Sequence, residues 1–326
     1  MSTSILVTIQ QGITRYVMPI MITIANLSNI FSILSFLQKH QRSNSCSIYL
    51  VFAATFSIVS INWALIPTIY ALNNPPDPFS QSLILCRLRG YILQIANNLY
   101  RTYLILACMD RYATSSPSAR IRRWSTKKIA GRAIVITIIA WILIPTHLLI
   151  WETIENSKCS AFGTYATVYT IYLLIVIFAP LCLISLFGFL TLHNLKRLHS
   201  HVTHSNVNTI ITVSEKRRKR DIDLQRMILM EVFVYLILTS GYPIVFLYTT
   251  LTANITNKSI ICLQIESFVS FMTNSFLQYL NSGSRFFIYF FTSHTFRGEV
   301  KKFILIHRYD NTIHTALVVG IQQRLT

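Results

Sequence analysis

Asp110, Arg111 and Tyr112 stand side by side at the end of a long apolar stretch, directly ahead of a basic loop. A carboxylate and a guanidinium at such a wet boundary make an ion pair worth on the order of 1 kcal/mol net. That biases a two-state equilibrium without freezing it, so the chemistry on offer is switching. Asp223, near the start of a later apolar stretch, is a second acid within the expected reach of Arg111. A contact between them would tie two helices together at their inner ends. No nucleophile, base and oxyanion donor recur at catalytic spacing, so neither an enzyme nor a cofactor is expected.

Six cysteines are present, of which Cys86, Cys159 and Cys262 fall on the side of the chain where oxidation persists. A Cys86–Cys159 bridge would pin a loop across the mouth of a helix bundle. Cys108 and Cys182 read as free small hydrophobes instead. His199, His201 and His204 have no thiol or acid beside them and read as a solvated loop, so no metal site is expected.

The elements that position these residues follow from charge patterning. Hydrophobic residues make up 52% of the 326 and charged residues only 12%, about half the charge of a soluble domain. Residues 16–38, 43–76, 133–151, 159–195, 232–257 and 267–284 contain no Asp, Glu, Lys or Arg. Each approaches or exceeds the ~20 residues a helix needs to cross the hydrocarbon. A seventh stretch, about 83–109, is broken only by Arg87, Arg89 and Arg101. None alternates with the period of two that barrel strands require. The expected fold is therefore an all-α membrane protein, a seven-transmembrane helix bundle with spans near 17–38, 47–72, 83–113, 130–151, 165–193, 224–251 and 262–291.

The net charge of +18 raises nucleic acid as a partner, and its distribution argues against it. Of 29 Lys and Arg, 22 fall in 39–46, 111–132, 193–226 and the tail from 292. Positive loops stay cytoplasmic. The N-terminus is thus expected outside and the C-terminus inside, in a multi-pass protein of the plasma membrane whose basic face meets anionic lipid of the bilayer. The sequons at Asn254 and Asn257 fall in an outer loop and are candidate glycosylation sites. Residues 1–16 read as a short extracellular N-terminus, 17–291 as the membrane domain and 292–326 as an interfacial helix with a cytoplasmic tail. In that tail Phe296, Val300 and Phe303 share one face, opposite Arg297, Lys301 and Lys302, the pattern of a short amphipathic helix in the inner interface. Pro180 and Pro243 each remove a backbone hydrogen bond and are candidate kinks in the fifth and sixth spans.

The ordered set of these residues resembles the rhodopsin-like (class A) G-protein-coupled receptors over essentially the whole chain, in a divergent, neuropeptide-receptor-like form. The matching residues are Asn29, Cys86 placed 25 residues before Arg111, the Asp110-Arg111-Tyr112 triplet, Trp141, Pro180, Pro243 and Tyr289. The resemblance implies a receptor that senses an extracellular ligand and activates a heterotrimeric G protein by displacing the sixth helix. Three departures stand out. Gly241 occupies the family's sixth-helix tryptophan position, Ser57 the second-helix aspartate position, and Arg285-Phe286-Phe287-Ile288-Tyr289 replaces the N-P-x-x-Y motif. Loss of the acid and the amide implies that no sodium binds, with the Arg285 guanidinium in the cation's place. The alternative for Arg285 is snorkelling to the inner surface.

Candidate ligand contacts are Arg89, Gln94 and Asn97 on the third helix, with Gln264 and Glu266 at the start of the seventh. Leu93 replaces the aspartate by which amine receptors are recognised, and Tyr279 the retinal lysine of opsins. A peptide with an acidic group for Arg89 is the favoured ligand. The alternatives are a transporter or channel, with Arg101 and Arg285 lining a path, and a receptor-like protein that no longer signals.

Overall fold

A computed structural model describes residues 2–38, 41, 44–155, 158–202, 213–253, 255, 258–294, 296–298 and 300; side chains are described for fewer residues near 2–4, 158 and 195–221. The described residues are all-α apart from one short antiparallel strand pair. Six helices are long and apolar enough to cross a membrane: Ile5–Leu37 (α1), Ser45–Asn73 (α2), Lys127–Trp151 (α4), Gly163–Asn194 within the helix Gly163–Val202 (α5), Ile222–Leu251 (α6) and Ile260–Thr292 (α7). Between α2 and α4 runs a seventh long helix, Leu83–Ser115 (α3), whose 33 residues, with Gln94, Asn97, Asn98 and Arg101 in mid-helix, are on average too polar to qualify on composition.

Local chemistry sets the ends. Asn44 caps α2 by accepting from the Cys46 amide, Thr126 caps α4 through the Ile129 amide, and Ser259 caps α7 through the Cys262 amide. Each cap satisfies a donor that a helix start otherwise leaves unpaired. The turn after α2 contains Pro75, Pro76 and Pro78, and Asp77 opens the one-turn helix Pro78–Gln81. Helical structure begins at Ser2 rather than near residue 17 and runs through a π-helical turn, Ile13–Val17, into α1.

α3 is the central element and packs against α2, α4 and α5. Leu99, Tyr100, Tyr103, Leu104, Ala107 and Cys108 on it are buried in the larger core, together with Leu50 and Ala53 of α2 and Met227, Ile228 and Tyr235 of α6. In lipid the drive for such packing is close contact and interhelical hydrogen bonding, because the solvent is as apolar as the side chains. Small residues on α2 (Ala53, Ala54, Ser57 and Ser60) are accordingly buried, and Ser60 bonds Asn97 of α3. A second core joins α1, α2 and α7 around Met18, Met21, Ile61, Leu65 and Tyr279.

Candidate functional site

The C-terminal end of α3 is a closed polar knot. Asp110 Oδ1 accepts from Ser45 Oγ at 2.5 Å and from Ser125 Oγ at 2.7 Å, while Oδ2 accepts from Arg111 Nη2 at 2.6 Å. The same Arg111 nitrogen donates to Asn44 Oδ1 at 2.8 Å. Both side chains are buried, Arg111 to 1% exposure. Ser45 and Asn44 belong to the start of α2 and Ser125 to the loop before α4. The pair therefore holds three segments through neutral groups. Tyr112 packs on Phe187 of α5 in a tilted arrangement, ring centroids 5.9 Å apart. Asp223 is half-buried near the start of α6.

Deeper in the bundle lies a second ionic cluster that the sequence reading missed. Arg285 Nε donates to Glu231 Oε1 at 2.8 Å and Arg285 Nη1 to Asn29 Oδ1 at 3.0 Å. The Tyr289 hydroxyl donates to the other Glu231 oxygen in a short hydrogen bond. Arg285 also lies over the Tyr100 ring, 4.9 Å from its centroid, and the Tyr100 hydroxyl accepts from Asn281. Arg285 and Glu231 are 1% and 2% exposed. This overturns snorkelling: the guanidinium turns inward to a carboxylate. Glu231 escaped notice because it borders the charge-free stretch 232–257. An acid preceded by Met227-Ile228-Leu229-Met230 and followed by Val232-Phe233 was the available signal. Asn29, Glu231, Arg285 and Tyr289 join α1, α6 and α7. Ser57 of α2 is fully buried nearby in sequence register, its hydroxyl without a hydrogen-bond partner.

At the N-terminal end of α3 Cys86 forms a disulfide with Cys159, Cα atoms 5.7 Å apart. Cys159 lies on β2 (Lys158–Ser160), which pairs antiparallel with β1 (Thr153–Glu155) in the register Ile154↔Cys159. The bond thus ties this hairpin to the start of α3. Glu152, one residue before β1, lays its carboxylate directly on Gly90 of α3. A Cβ at Gly90 would come within 2.6 Å of Glu152 Oε2, so a larger residue there would push the carboxylate off the helix. Arg87 spends its donors on backbone carbonyls, Nε on Glu152 and Nη2 on Ile150, both at 2.9 Å. Glu152 Oε2 is left without a hydrogen-bond partner. Burial therefore pushes the Glu152 carboxyl up to about 7, against the pull of the Arg87 charge. Cys86, Glu152 and Cys159 approach within metal-ligating reach, but the disulfide takes both thiolates out of play.

The five candidate ligand contacts do not converge. Arg89 is held by Thr68 Oγ1 at 3.1 Å, by Asp77 at 3.9 Å and by the Phe79 ring. Gln94 reaches the Tyr169 hydroxyl at 3.5 Å and accepts from Asn98. Asn97 accepts from Ser60 at 2.6 Å. Glu266 is bound by Lys258 at 2.7 Å and by the Tyr248 hydroxyl at 3.1 Å. Gln264, two residues away and so on the opposite side of a helix, has a buried Oε1 with no partner. Asn254, Asn257 and Phe303 lie outside the described residues, as do the side chains of His199, His201 and His204.

The two prolines behave differently. Pro180 sits within an unbroken helix. α6 is interrupted at Ser240, between Val213–Thr239 and Gly241–Leu251, because Pro243 offers no amide to the carbonyl of Thr239. A Cβ on Gly241 would already touch the Thr273 methyl at 3.0 Å. Thr273 lies in a π-helical segment, Phe271–Leu277, of α7. The break in α6 thus meets the irregularity in α7 at a glycine, where a tryptophan has no space.

No protein-family model and no curated protein matches this chain.

Proposed function

We propose that this chain is a seven-span receptor of the rhodopsin-like kind, which passes an extracellular signal to a heterotrimeric G protein at the plasma membrane. The observation that carries the reading is the buried Asp110–Arg111 pair at the inner end of α3, bonded to the start of α2 and to the basic loop before α4. α3 is counted as the seventh span. Its 33 residues reach about 50 Å, and Arg89 and Arg111, at its two ends, are paired with acids. In this reading the N-terminus is outside, residues 292–300 begin an interfacial helix, and the inner cavity is closed. Ligand binding favours a conformer in which Arg111 is released and α6 bends at its Ser240 break. The G protein then docks against the basic inner rim. With Arg285 at the position of the family motif's asparagine and bound to Glu231, its guanidinium takes the cation's place in this reading, and ligand affinity is expected to be insensitive to sodium.

The test is guanine-nucleotide exchange in membranes displaying the chain, challenged with neural extract before and after protease treatment, beside Arg111→Ala. Exchange that is lost after proteolysis, and altered in the variant, supports a peptide receptor working through the triplet. A protease-resistant response supports a small-molecule receptor. A second reading rests on the Glu231–Arg285 pair, since charges deep in a bundle also mark transport paths. Uptake or current without nucleotide exchange selects it.

A further inference from the structure

The disulfide at the start of α3 has a carboxylate beside it. Cys86, Cys159 and Glu152 bring two sulfurs and one carboxylate oxygen within 4.8 Å of one another. Cys86 stands on α3, Cys159 on β2 and Glu152 between α4 and β1. Cys86 is fully buried, Glu152 is 6% exposed and Cys159 is half-buried.

Two sulfurs in a disulfide are always close, so the informative member is Glu152. Its Oε2 is buried and has no hydrogen-bond partner, while Arg87 gives two of its nitrogens to the backbone carbonyls of Glu152 and Ile150. A buried carboxylate oxygen without a donor is costly, and a cation in place of the missing donor removes that cost. The strand pair holds the acid in position: Thr153, directly after it, pairs with Ser160, directly after Cys159.

While the sulfurs are bonded to each other they offer no thiolate. Reduction by a small thiol changes that. Its thiolate attacks the half-buried Cys159 sulfur, and the Cys86 sulfur leaves as a thiolate. A second equivalent attacks the small-molecule sulfur of the mixed disulfide, releases the Cys159 thiolate and departs as the oxidised small-molecule disulfide. The protein gains two electrons and two protons, and a bound metal ion displaces both thiol protons.

We propose that the Cys86–Cys159 disulfide is one of two states of this site: once it is reduced, the two thiolates and the Glu152 carboxylate bind a zinc ion. Thiolates disfavour magnesium and calcium, and a mixed sulfur and oxygen set suits zinc. A tetrahedral zinc centre sets its ligand atoms about 3.5–4 Å apart, inside the 4.8 Å within which the three groups already lie. Three protein ligands leave the fourth position to water. The disulfide ties α3 to β2 alone, whereas the ion ties α3, β2 and the segment after α4. Reduction thus exchanges a covalent tie for a metal clamp at the same place.

The test uses the full chain in nanodiscs, with Cys182 and Cys262 replaced by alanine so that the other remaining cysteines, Cys46 and Cys108, are buried. The protein is reduced with dithiothreitol, desalted under nitrogen and titrated with cobalt chloride, whose thiolate complexes absorb in the near ultraviolet. Zinc chloride then displaces the cobalt. The expected result is a thiolate–cobalt band in the reduced chain, absent from the oxidised chain and bleached by zinc. Zinc should also raise the unfolding temperature of the reduced chain with the logarithm of its concentration. Glu152→Gln, which keeps the shape of the side chain, should weaken zinc binding more than about tenfold, a loss that removing even an outer-shell partner of a metal can bring. Cys86→Ser with Cys159→Ser should abolish the band. No band in the reduced chain, a band that survives the double serine variant, or zinc affinity unchanged in Glu152→Gln overturns the site. Reduction with zinc already present covers a reduced chain that unfolds without it: protection of Cys86 and Cys159 from N-ethylmaleimide supports the site, and full reaction of both overturns it. These readouts follow the ion and the thiols alone, so the outcome is independent of nucleotide exchange and of the receptor reading.

Discussion

Among the described residues, two fully buried ion pairs hold this bundle, and they are built in opposite ways. Asp110 and Arg111 are neighbours in sequence, so their contact closes within one helix. What they tie together depends on neutral third parties: Asn44, Ser45 and Ser125. Glu231 and Arg285 are 54 residues apart, and their contact itself joins α6 to α7, with Asn29 adding α1. A local pair can keep its charges matched while its partners leave, which suits an element that must release. A long-range pair cannot part without stranding a charge in the bundle, which suits an element that must hold. The inner knot is thus the movable tie and the deep pair the fixed one.

The largest test of that contrast is to break the fixed tie. Arg285→Met or Glu231→Gln alone is expected to cost about 3–5 kcal/mol, because each strands a buried partner. The double variant Glu231→Leu with Arg285→Met should recover most of that loss. Unfolding in mild detergent measures both, and a double variant as weak as the sum of the singles would remove the charge-stranding argument.

Next comes the covalent tie at the outer end. Replacing Cys86 and Cys159 by alanine frees a loop closed over 73 residues and should cost roughly 2–4 kcal/mol. The inner knot should be unchanged, so the basal rate of nucleotide exchange stays at the parent level while the unfolding temperature falls.

The movable tie should respond in the opposite sense. Asp110→Asn removes charge-assisted bonds and is expected to cost only about 1–3 kcal/mol. It should raise ligand-free exchange, which the Arg285 variants do not. Equal basal activity in both sets would erase the distinction between the two pairs.

The smallest effect concerns Glu152. Its carboxyl is raised in the folded protein from 4.5 to about 7, so between those values the folded chain keeps a proton that the unfolded chain has released. That contribution is full below about pH 4.5 and is lost as pH rises through about 7, on the order of 1 kcal/mol. Glu152→Gln should flatten the pH dependence of the unfolding temperature in this window. An unaltered profile would place the titration elsewhere.

Much of the architecture was legible because lipid imposes a strict rule. Backbone groups in hydrocarbon must be satisfied within the segment, so long charge-free runs such as 159–195 and 232–257 announce helices. The caps at Asn44, Thr126 and Ser259 and the break ahead of Pro243 follow from local chemistry of the same kind. The charge-interrupted helix α3 was legible from its length. The early start of α1 at Ser2 was not, because Thr3, Thr8, Gln10 and Gln11 give that segment no apolar signature. The hairpin at 153–160 was missed because three-residue strands show no usable alternation.

The chain's residues by themselves determined which segments are helical, where they begin and end, and that Asp110 and Arg111 meet, since all of these act over one or two helical turns. Only the tertiary structure decided that Arg285 turns inward to Glu231 and that Glu152 lies on Gly90. Periodicity says which face of a helix a side chain occupies; which neighbour covers that face depends on helix rotation and depth, and these are set by the packing of all the helices together.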